Sequence, residues 1–260
     1  MSDGKIDIAL VQFRRDRFDK EANRGRMLEL LAGVSGADIV CLPEVWMGAL
    51  ALDDEEMERL LEELGEMARG GGYTLLTGGL FVRRGGTVVD VCHVLGPDGA
   101  AAGEQLKLFP SGAVGEREYC TGGGRLEVFD AAGARFGVAV CVDVLYPEVV
   151  RALAMKGAQV VFNPANIPEE RNPLWHSIVR TRAAENTVYT AYANNTGTEY
   201  ADGRDVSGGS MTAGPDGSVL IAGGKEEEVV RAEIDPALIE EQRKRWRYLE
   251  DVRGYDFGGL

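Results

Sequence analysis

The chain has 260 residues, of which 45% are hydrophobic and 27% charged, with 28 basic against 42 acidic side chains and a formal net charge of −14. Such a composition is typical of a globular protein, and the length suits a single domain over residues 1–260. An acidic chain lacks the basic surface that nucleic acid or an anionic membrane requires, so we expect neither as a partner. No apolar run approaches the ~18 residues of a membrane span, and we expect a cytoplasmic protein.

In the first half of the chain, helix and strand patterns alternate. Helical spacing of apolar residues predicts helices over 19–34 and 55–69, the second closed by the glycines 70–72. The turn at 96–99, Gly-Pro-Asp-Gly, predicts a hairpin between the last two strands of this half. Strands are predicted over residues 5–13, 37–43, 73–82, 87–95 and 101–109.

The second half continues the alternation and ends in a tail. Helices are predicted over 147–156 and from 173 to about 186, the latter capped by Asn172. Strands are predicted over 126–129, 134–142, 158–163 and 187–194, and a second hairpin turns at 214–217 and runs through 219–234. The tail, 236–260, starts as a basic helix, ends irregularly, and is expected to pack on a partner subunit. The whole pattern predicts a layered α/β domain with a mixed sheet.

The segment 136–148 reads as a strand that turns into a helix. Phe136 and Val138 fall on one strand face and Cys141 on the other, at the last position of the strand. Pro147 is a favourable first helical residue. The carboxyl ends of strands are where α/β proteins usually carry their chemistry, which makes Cys141 a candidate nucleophile. A buried strand cysteine is the alternative.

A reactive thiol needs a base. Neither histidine lies at a strand end, because His93 is mid-strand and His176 is one turn into a helix. Glu44 and Lys107 do lie at strand ends. A carboxylate can serve as the base and a lysine can hold negative charge on a carbonyl oxygen, although each could also be a solvated charge beside a loop.

Three segments together resemble a known family. Leu42-Pro-Glu44, Lys107-Leu-Phe-Pro110 and Cys141-Val-Asp-Val-Leu-Tyr-Pro-Glu148 are similar, in this order, to the glutamate, lysine and cysteine motifs of the nitrilase superfamily, the carbon-nitrogen hydrolases. The first strand and the segments 157–166, 175–186 and 194–197 also fit, so the resemblance covers nearly the whole chain. It implies a four-layer αββα sandwich with mixed sheets that assembles as a homodimer or higher homo-oligomer.

The resemblance also implies roles for the residues of these motifs. Cys141 would attack the substrate carbon, and Glu44 would take its proton and later activate water. Lys107 and the backbone N–H of Val142 would stabilise the oxyanion.

A second glutamate stands between the lysine and the cysteine in many members of the superfamily. Glu116 fits that role by the spacing to the downstream glycine, with Glu118 as second choice; a solvated acidic loop is the alternative. Asp143 and Glu148 are expected to support the turn that carries the cysteine.

The residues that the cysteine segment lacks narrow the expected class of substrate. Relatives that act on carbamoylated or dicarboxylic amino acids carry arginines there, whereas this chain has Val142 and Leu145. A neutral, partly apolar amide is therefore expected, although Arg117 could supply a charge. Three further residues would flank the pocket or simply pack: Asn166, Ile167 and Trp175.

The resulting hypothesis is an amidase that hydrolyses a small linear amide through a cysteine thioester. The cysteines form no C-x-x-C pair and there are two histidines, so neither zinc nor another cofactor is expected, nor are disulfides. The alternatives within hydrolases are an N-carbamoyl amidohydrolase and an ω-amidase. The alternative of another class is a non-hydrolytic scaffold or an acyl transferase with the same fold.

Overall fold

The computed structural model describes residues 4–255, which contain sixteen strands and six helices. The helices are α1 (Lys20–Ala32), α2 (Asp54–Gly71), α3 (Pro147–Met155), α4 (Asn172–Asn186), α5 (Pro236–Arg245) and α6 (Tyr248–Arg253). The strands are β1 (Ile6–Arg14), β2 (Ile39–Cys41), β3 (Thr74–Leu76), β4 (Leu80–Arg84), β5 (Thr87–Leu95), β6 (Ala101–Leu106), β7 (Val128–Ala131), β8 (Ala134–Val138), β9 (Val160–Pro164), β10 (Tyr189–Ala193), β11 (Asn195–Thr196), β12 (Thr198–Glu199), β13 (Asp205–Val206), β14 (Met211–Ala213), β15 (Val219–Ala222) and β16 (Glu228–Ile234).

Most of the strands form two mixed sheets. In the first sheet, β1 lies between the parallel β2 and the antiparallel β16, and the sheet continues through β3 to β5, which also pairs with β4 and β6. The second sheet has the order β15-β14-β10-β9-β8-β7, with β8, β9 and β10 parallel. Helices connect the parallel strands, as such connections require.

Alternate side chains of β1 enter two different cores. Ile8 and Leu10 pack in the core that also contains the second sheet, whereas Ala9 and Val11 pack in the core that contains α1 and α2. Because successive strand residues point to opposite faces, the first sheet carries helices on one face and the second sheet on the other.

The second sheet is covered by helices in the same way. A Cβ at Gly137 of β8 would lie 2.6 Å from Leu153 of α3, so this face of the sheet bears the helix. Buried side chains of α4, among them Val179 and Ala183, join the same core. The layers therefore run helix, sheet, sheet, helix, and the predicted αββα sandwich is confirmed.

The cysteine segment differs from its prediction. β8 ends at Val138, and Cys141 begins a 3-10 turn over Cys141–Leu145 instead of ending the strand. The side-chain amide of Asn163 donates to the carbonyls of Ala139 (2.6 Å) and Cys141 (3.0 Å). These side-chain hydrogen bonds take the place of the backbone hydrogen bonds that pair neighbouring strands. The chain can therefore turn after β8 ends.

Two other predicted boundaries are wrong. The strand predicted over 73–82 is two strands, because Gly78 adopts a left-handed φ of 72° where the chain passes Pro43. Asn172 does not cap α4. It is the first residue of that helix, and its side chain instead donates to the Gly208 carbonyl (3.1 Å) and accepts from Tyr192 Oη (3.1 Å).

The second hairpin and the tail are only partly as predicted. β14 and β15 form the hairpin, but β16 crosses to the first sheet and pairs with β1, because its alternate residues Val230, Ala232 and Ile234 belong to the core between the sheets. In the tail, α5 is the predicted basic helix, and α6 replaces most of the predicted irregular end. Residues 256–260 of the tail lie outside the described range. Within 4–255, no helix combines the length and apolar character that crossing a membrane requires.

A substitution at Gly78 tests the close approach of this residue to the Pro43 carbonyl. We expect Gly78→Ala to lower the free energy of unfolding by about 2 kcal/mol, because its Cβ would lie 1.9 Å from the Pro43 carbonyl oxygen at a left-handed φ. Urea denaturation measures the change. Gly25→Ala is the matched control: nothing lies within 4 Å of its Cβ in α1, so it should be neutral or stabilising by up to about 1 kcal/mol. Equal effects of the two substitutions would contradict the packing described.

Candidate active site

A buried ammonium group connects the predicted residues. Lys107 follows β6, and its Nζ lies 2.8 Å from Glu44 Oε1 and 2.7 Å from Glu116 Oε2. Asp90 of β5 approaches with Oδ2 at 3.3 Å. All four side chains are buried. The structure therefore brings Glu44, Lys107 and Glu116 together as the resemblance implies, whereas Glu118 is exposed.

Cys141 sits in a strained turn beside this cluster. Its φ is 49°, in the left-handed region that residues other than glycine seldom adopt, and it is 5% exposed. The first hydrogen bond of the turn runs from Asp143 N to the Val140 carbonyl (3.0 Å). The N–H groups of Cys141 and Val142 therefore have no acceptor within the turn, so they are suited to meet an oxyanion.

The turn is held by side chains from neighbouring elements. Asn163, which binds two of its carbonyls, accepts in turn from Trp175 Nε1 (2.9 Å). Arg182 of α4 donates to the carbonyls of Val144 (2.9 Å) and Leu145 (3.0 Å). These bonds satisfy the backbone of the turn and hold the strained conformation.

Asp143 joins the cysteine turn to the lysine segment. Its two carboxylate oxygens accept from Leu108 N (2.8 Å) and Phe109 N (2.9 Å), directly after Lys107. Burial raises the pKa of Asp143 to about 7, although the two N–H groups oppose this shift. Asp143 thus gives the support predicted for it, while Glu148 lies exposed in the first turn of α3.

Glu44 is held by the segments that follow β9 and β10 of the second sheet. Asn195 Nδ2 donates to the Glu44 carbonyl (2.7 Å) and to Asn166 Oδ1 (3.0 Å), and Glu44 N donates to the Ala165 carbonyl (3.3 Å). The loop after β2 in the first sheet is therefore fastened to the loop after β9 in the second.

The charges of the site decide its resting protonation. Burial raises the pKa of the Cys141 thiol well above its usual value, and Glu44 raises it further, so the resting group is the neutral thiol. Burial by itself would lower the pKa of Lys107, but the surrounding acidic groups, Glu44 first among them, outweigh it and raise that pKa well above its usual value. Lys107 is therefore a fixed positive charge, and Cys141 needs a base.

A cavity of about 490 Å³ opens in front of Cys141. Val142, Leu145 and Ile167 give it apolar surface. Lys107 itself does not line the cavity, but it binds Glu44 and Glu116, which do. The other sequence-predicted residues that line the cavity are Glu44, Glu116, Asn166 and Trp175. Within residues 4–255, no group of His, Cys, Asp and Glu side chains is arranged to hold a metal ion.

Three residues at the site were missed in the sequence. Arg15 and Tyr200 line the cavity, and Tyr200 Oη donates to the Asn166 carbonyl. Asp90 lies against Lys107. Arg15 directly follows Arg14, the last residue of β1, so it carried the same signal as Glu44 and Lys107, a charge at a strand end. Asp90 carried another, a carboxyl group inside a valine-rich strand.

Comparison with known proteins identifies the family. The family model of the carbon-nitrogen hydrolases matches residues 7–244. The chain is 30% identical over 223 residues to 2-oxoglutaramate amidase from Bacillus subtilis (strain 168), covering 84% of this chain and 85% of that protein. It is 31% identical over 265 residues to omega-amidase NIT2 from Danio rerio, covering 96% and 91%. A solved mutant structure of an amidase of the nitrilase superfamily from Nesterenkonia AN1 superposes with a TM-score of 0.81 at 25% identity, covering 93% and 95%.

The chain therefore belongs to the carbon-nitrogen hydrolase family within the nitrilase superfamily. It is a hydrolase of carbon–nitrogen bonds of the amidase type. The family expected from the three motifs is confirmed.

A substitution at Asn163 tests whether its side-chain hydrogen bonds hold the cysteine turn. We expect Asn163→Ala to lower the free energy of unfolding by about 3 kcal/mol, because it leaves two carbonyls and the Trp175 N–H unpaired in the interior. Alkylation of Cys141 should also change in rate, because the turn relaxes. Urea denaturation and mass spectrometry of the alkylated thiol measure the two effects.

Asn172→Ala is the control for this prediction. That asparagine also donates and accepts through its side chain, but it contacts Gly208 and Tyr192 instead of the cysteine turn. It should cost about 1 kcal/mol and leave Cys141 alkylation unchanged. The explanation fails if both variants alter the alkylation of Cys141 equally.

Proposed function

We propose that the protein hydrolyses a small linear amide to a carboxylic acid and ammonia through a thioester on Cys141. The observation that carries this proposal is that Glu44, paired with the buried Lys107, lines the same cavity as the strained Cys141. A neutral thiol, a carboxylate and a fixed ammonium charge are the groups that acyl transfer through sulfur requires.

Acylation uses all three of these groups. Glu44 accepts the thiol proton as Cys141 Sγ bonds to the amide carbon, and the carbonyl oxygen becomes an oxyanion. The Lys107 ammonium and the Val142 N–H stabilise that charge. The intermediate collapses when the C–N bond breaks, and Glu44 returns its proton to the departing ammonia.

Deacylation repeats the sequence with water. Glu44 removes a proton from water as the water oxygen bonds to the thioester carbon, and the C–S bond then breaks as Glu44 returns that proton to the sulfur and regenerates the thiol. Glu116 keeps Lys107 in place during both steps, because its Oε2 binds Nζ and also accepts from Ser111 N (2.6 Å).

The thioester can be weighed directly. On brief incubation with a panel of small amides, the wild-type protein should show a transient acyl mass by intact-protein mass spectrometry. Cys141→Ala should show none and should lose at least about 10³-fold in kcat, because the nucleophile is gone. Cys120→Ala serves as the control cysteine and should keep both the adduct and the turnover.

Other outcomes would assign a different activity. An adduct on Cys141→Ala contradicts the proposed nucleophile. Carbon dioxide released together with ammonia indicates an N-carbamoyl amidohydrolase, and product formed only with an added amine indicates acyl transfer. Neither adduct nor turnover with any amide, nitrile or carbamoyl compound favours a scaffold.

A second candidate is favoured by a buried arginine. Arg15 is 5% exposed and lines the cavity; its Nη1 donates to the Val45 carbonyl (3.1 Å), but its Nε has no hydrogen-bond partner among the described residues. Burial lowers the pKa of Arg15, whereas Tyr200 and Glu44 oppose that shift, and an arginine stays charged at neutral pH.

An unsatisfied guanidinium group suits a substrate carboxylate. The substrate of this second candidate is an amide that carries a carboxylate at its far end, as an ω-amidase would use. The relatives named 2-oxoglutaramate amidase and omega-amidase support it. Val142, Leu145 and Ile167 support the neutral amide expected from the sequence.

Matched substrates separate the two candidates. If the substrate carries a carboxylate, Arg15→Met should lower kcat/KM for a four-carbon amide that ends in a carboxylate about 10- to 100-fold more than for the neutral four-carbon amide, because it removes a charge-assisted bond. Arg17→Met is the control, because Arg17 lines the same cavity and is less buried; it should leave the ratio unchanged. A wild-type preference for the neutral amide that Arg15→Met does not alter would reject the carboxylate-bearing substrate.

A further inference from the structure

Asp90 is a buried carboxyl group for which the proposed chemistry has no use. It lies in the middle of β5, is 1% exposed, and neither of its oxygens has a hydrogen-bond partner among residues 4–255. Its nearest cation is Lys107, with Nζ 3.3 Å from Oδ2. A carboxylate buried without a hydrogen bond is costly, so the protonation of Asp90 needs an explanation.

The charges around Lys107 do not balance if every carboxyl group is ionised. Glu44 and Glu116 hold Nζ at 2.8 and 2.7 Å, which leaves Asp90 the longest of the three contacts. A third anion would give this buried cluster a net charge of −2. Where carboxyl groups crowd one buried site, one of them keeps its proton.

Asp90 and Glu44 face each other across Gly79. A Cβ at Gly79 would lie 2.6 Å from Asp90 Oδ1 and 2.9 Å from Glu44 Cγ. The absence of that atom lets the two carboxyl groups approach. The charge of Glu44 raises the pKa of Asp90, and a hydrogen bond between two carboxyl groups requires a proton on one of them.

We propose that Asp90 is protonated in the resting enzyme and donates a hydrogen bond to Glu44, so that it orients the base and leaves the charge of Lys107 available to the oxyanion. Asp90 is thus a positioning residue that acts through Glu44 and Lys107. Glu44, already bound to Lys107 through Oε1, then has a second fixed contact.

The surroundings of Asp90 agree with a retained proton. Burial, the largest influence, raises the pKa of Asp90 to about 8; Lys107 lowers it and Glu44 raises it again. The titratable groups that interact with Asp90 are Lys107, Glu44, Asp143, Tyr119, Cys120 and Cys92. Among them only Lys107 is a cation, so loss of the proton adds an unbalanced charge that competes with the oxyanion for Lys107.

Two pH dependences follow, and only one of them rests on the proposed function. In catalysis, kcat should fall as Asp90 ionises above about pH 8. In folding, a carboxyl group with a pKa of about 3.9 in the unfolded chain and about 8 in the folded one binds an extra proton in the folded state. The stability it confers is therefore lost as pH rises from about 4 to about 8.

The experiment compares the wild-type protein with Asp90→Asn, which keeps a donor but cannot ionise, and Asp90→Leu, which has no donor. Asp90→Asn should keep kcat at pH 7 within about 5-fold and move the alkaline fall up by about one pH unit or more. Asp90→Leu should lose about 50-fold or more at every pH, because the base is no longer oriented. The Tm of Asp90→Asn relative to wild type should rise between pH 5 and 8.

The proposal would be overturned if kcat of Asp90→Asn fell at the same alkaline pH as kcat of the wild type and the Tm difference between the two proteins did not vary with pH. So would an Asp90→Asn variant as inactive as Asp90→Leu, because the negative charge would then be what the site needs. If no amide is hydrolysed, the Tm comparison still decides the protonation of Asp90. If Asp90→Asn does not fold, NMR of wild-type protein labelled with ¹³C at the aspartate carboxyls decides it: the Asp90 carboxyl should titrate above about pH 6, and an Asp90 carboxyl that titrates near the ordinary value of about 4 would overturn the proposal.

Discussion

The buried ammonium of Lys107 is the constraint on which the rest of the site depends. A charge in the interior is tolerated only when it is paired and hydrogen-bonded, and Glu44 and Glu116 supply that pairing at 2.8 and 2.7 Å. These residues come from the end of β6, the loop after β2 and the segment after β6. The three regions must therefore meet, and none can move alone without exposing an unpaired buried charge.

The sandwich places the base and the nucleophile on different sheets. Glu44 follows a strand of the first sheet, and Cys141 follows a strand of the second. Two contacts that join the sheets fix their separation: Glu44 N donates to the Ala165 carbonyl after β9, and the N–H groups after Lys107 donate to the Asp143 carboxylate. The left-handed φ of Cys141 is strain that this network holds in place.

Two buried ionisable residues of the site, Arg15 and Asp90, have side-chain atoms without a hydrogen-bond partner among the described residues. Arg15 is buried at the cavity wall with a free Nε, and Asp90 is buried behind the base with both oxygens unpaired by any donor in the described residues. An unpaired polar atom in an interior is costly, so each calls for a partner that the folded chain does not itself provide. For Arg15, the second candidate function proposes a substrate anion as that partner, and for Asp90 we propose a proton.

The sequence by itself determined the helices and strands whose buried residues recur with a regular period. It also determined the site residues that lie in contiguous motifs. It predicted five of the six α-helices in the described residues, most strands, the layered fold, and Glu44, Lys107 and Cys141 as site residues. It misplaced Cys141 at a strand end because the turn is made by the side chain of Asn163, which belongs to the next strand. The tertiary structure alone decided that Asp90 faces Glu44 across Gly79, because periodicity shows that a residue is buried but not which distant polar atoms face it once the sheets have packed.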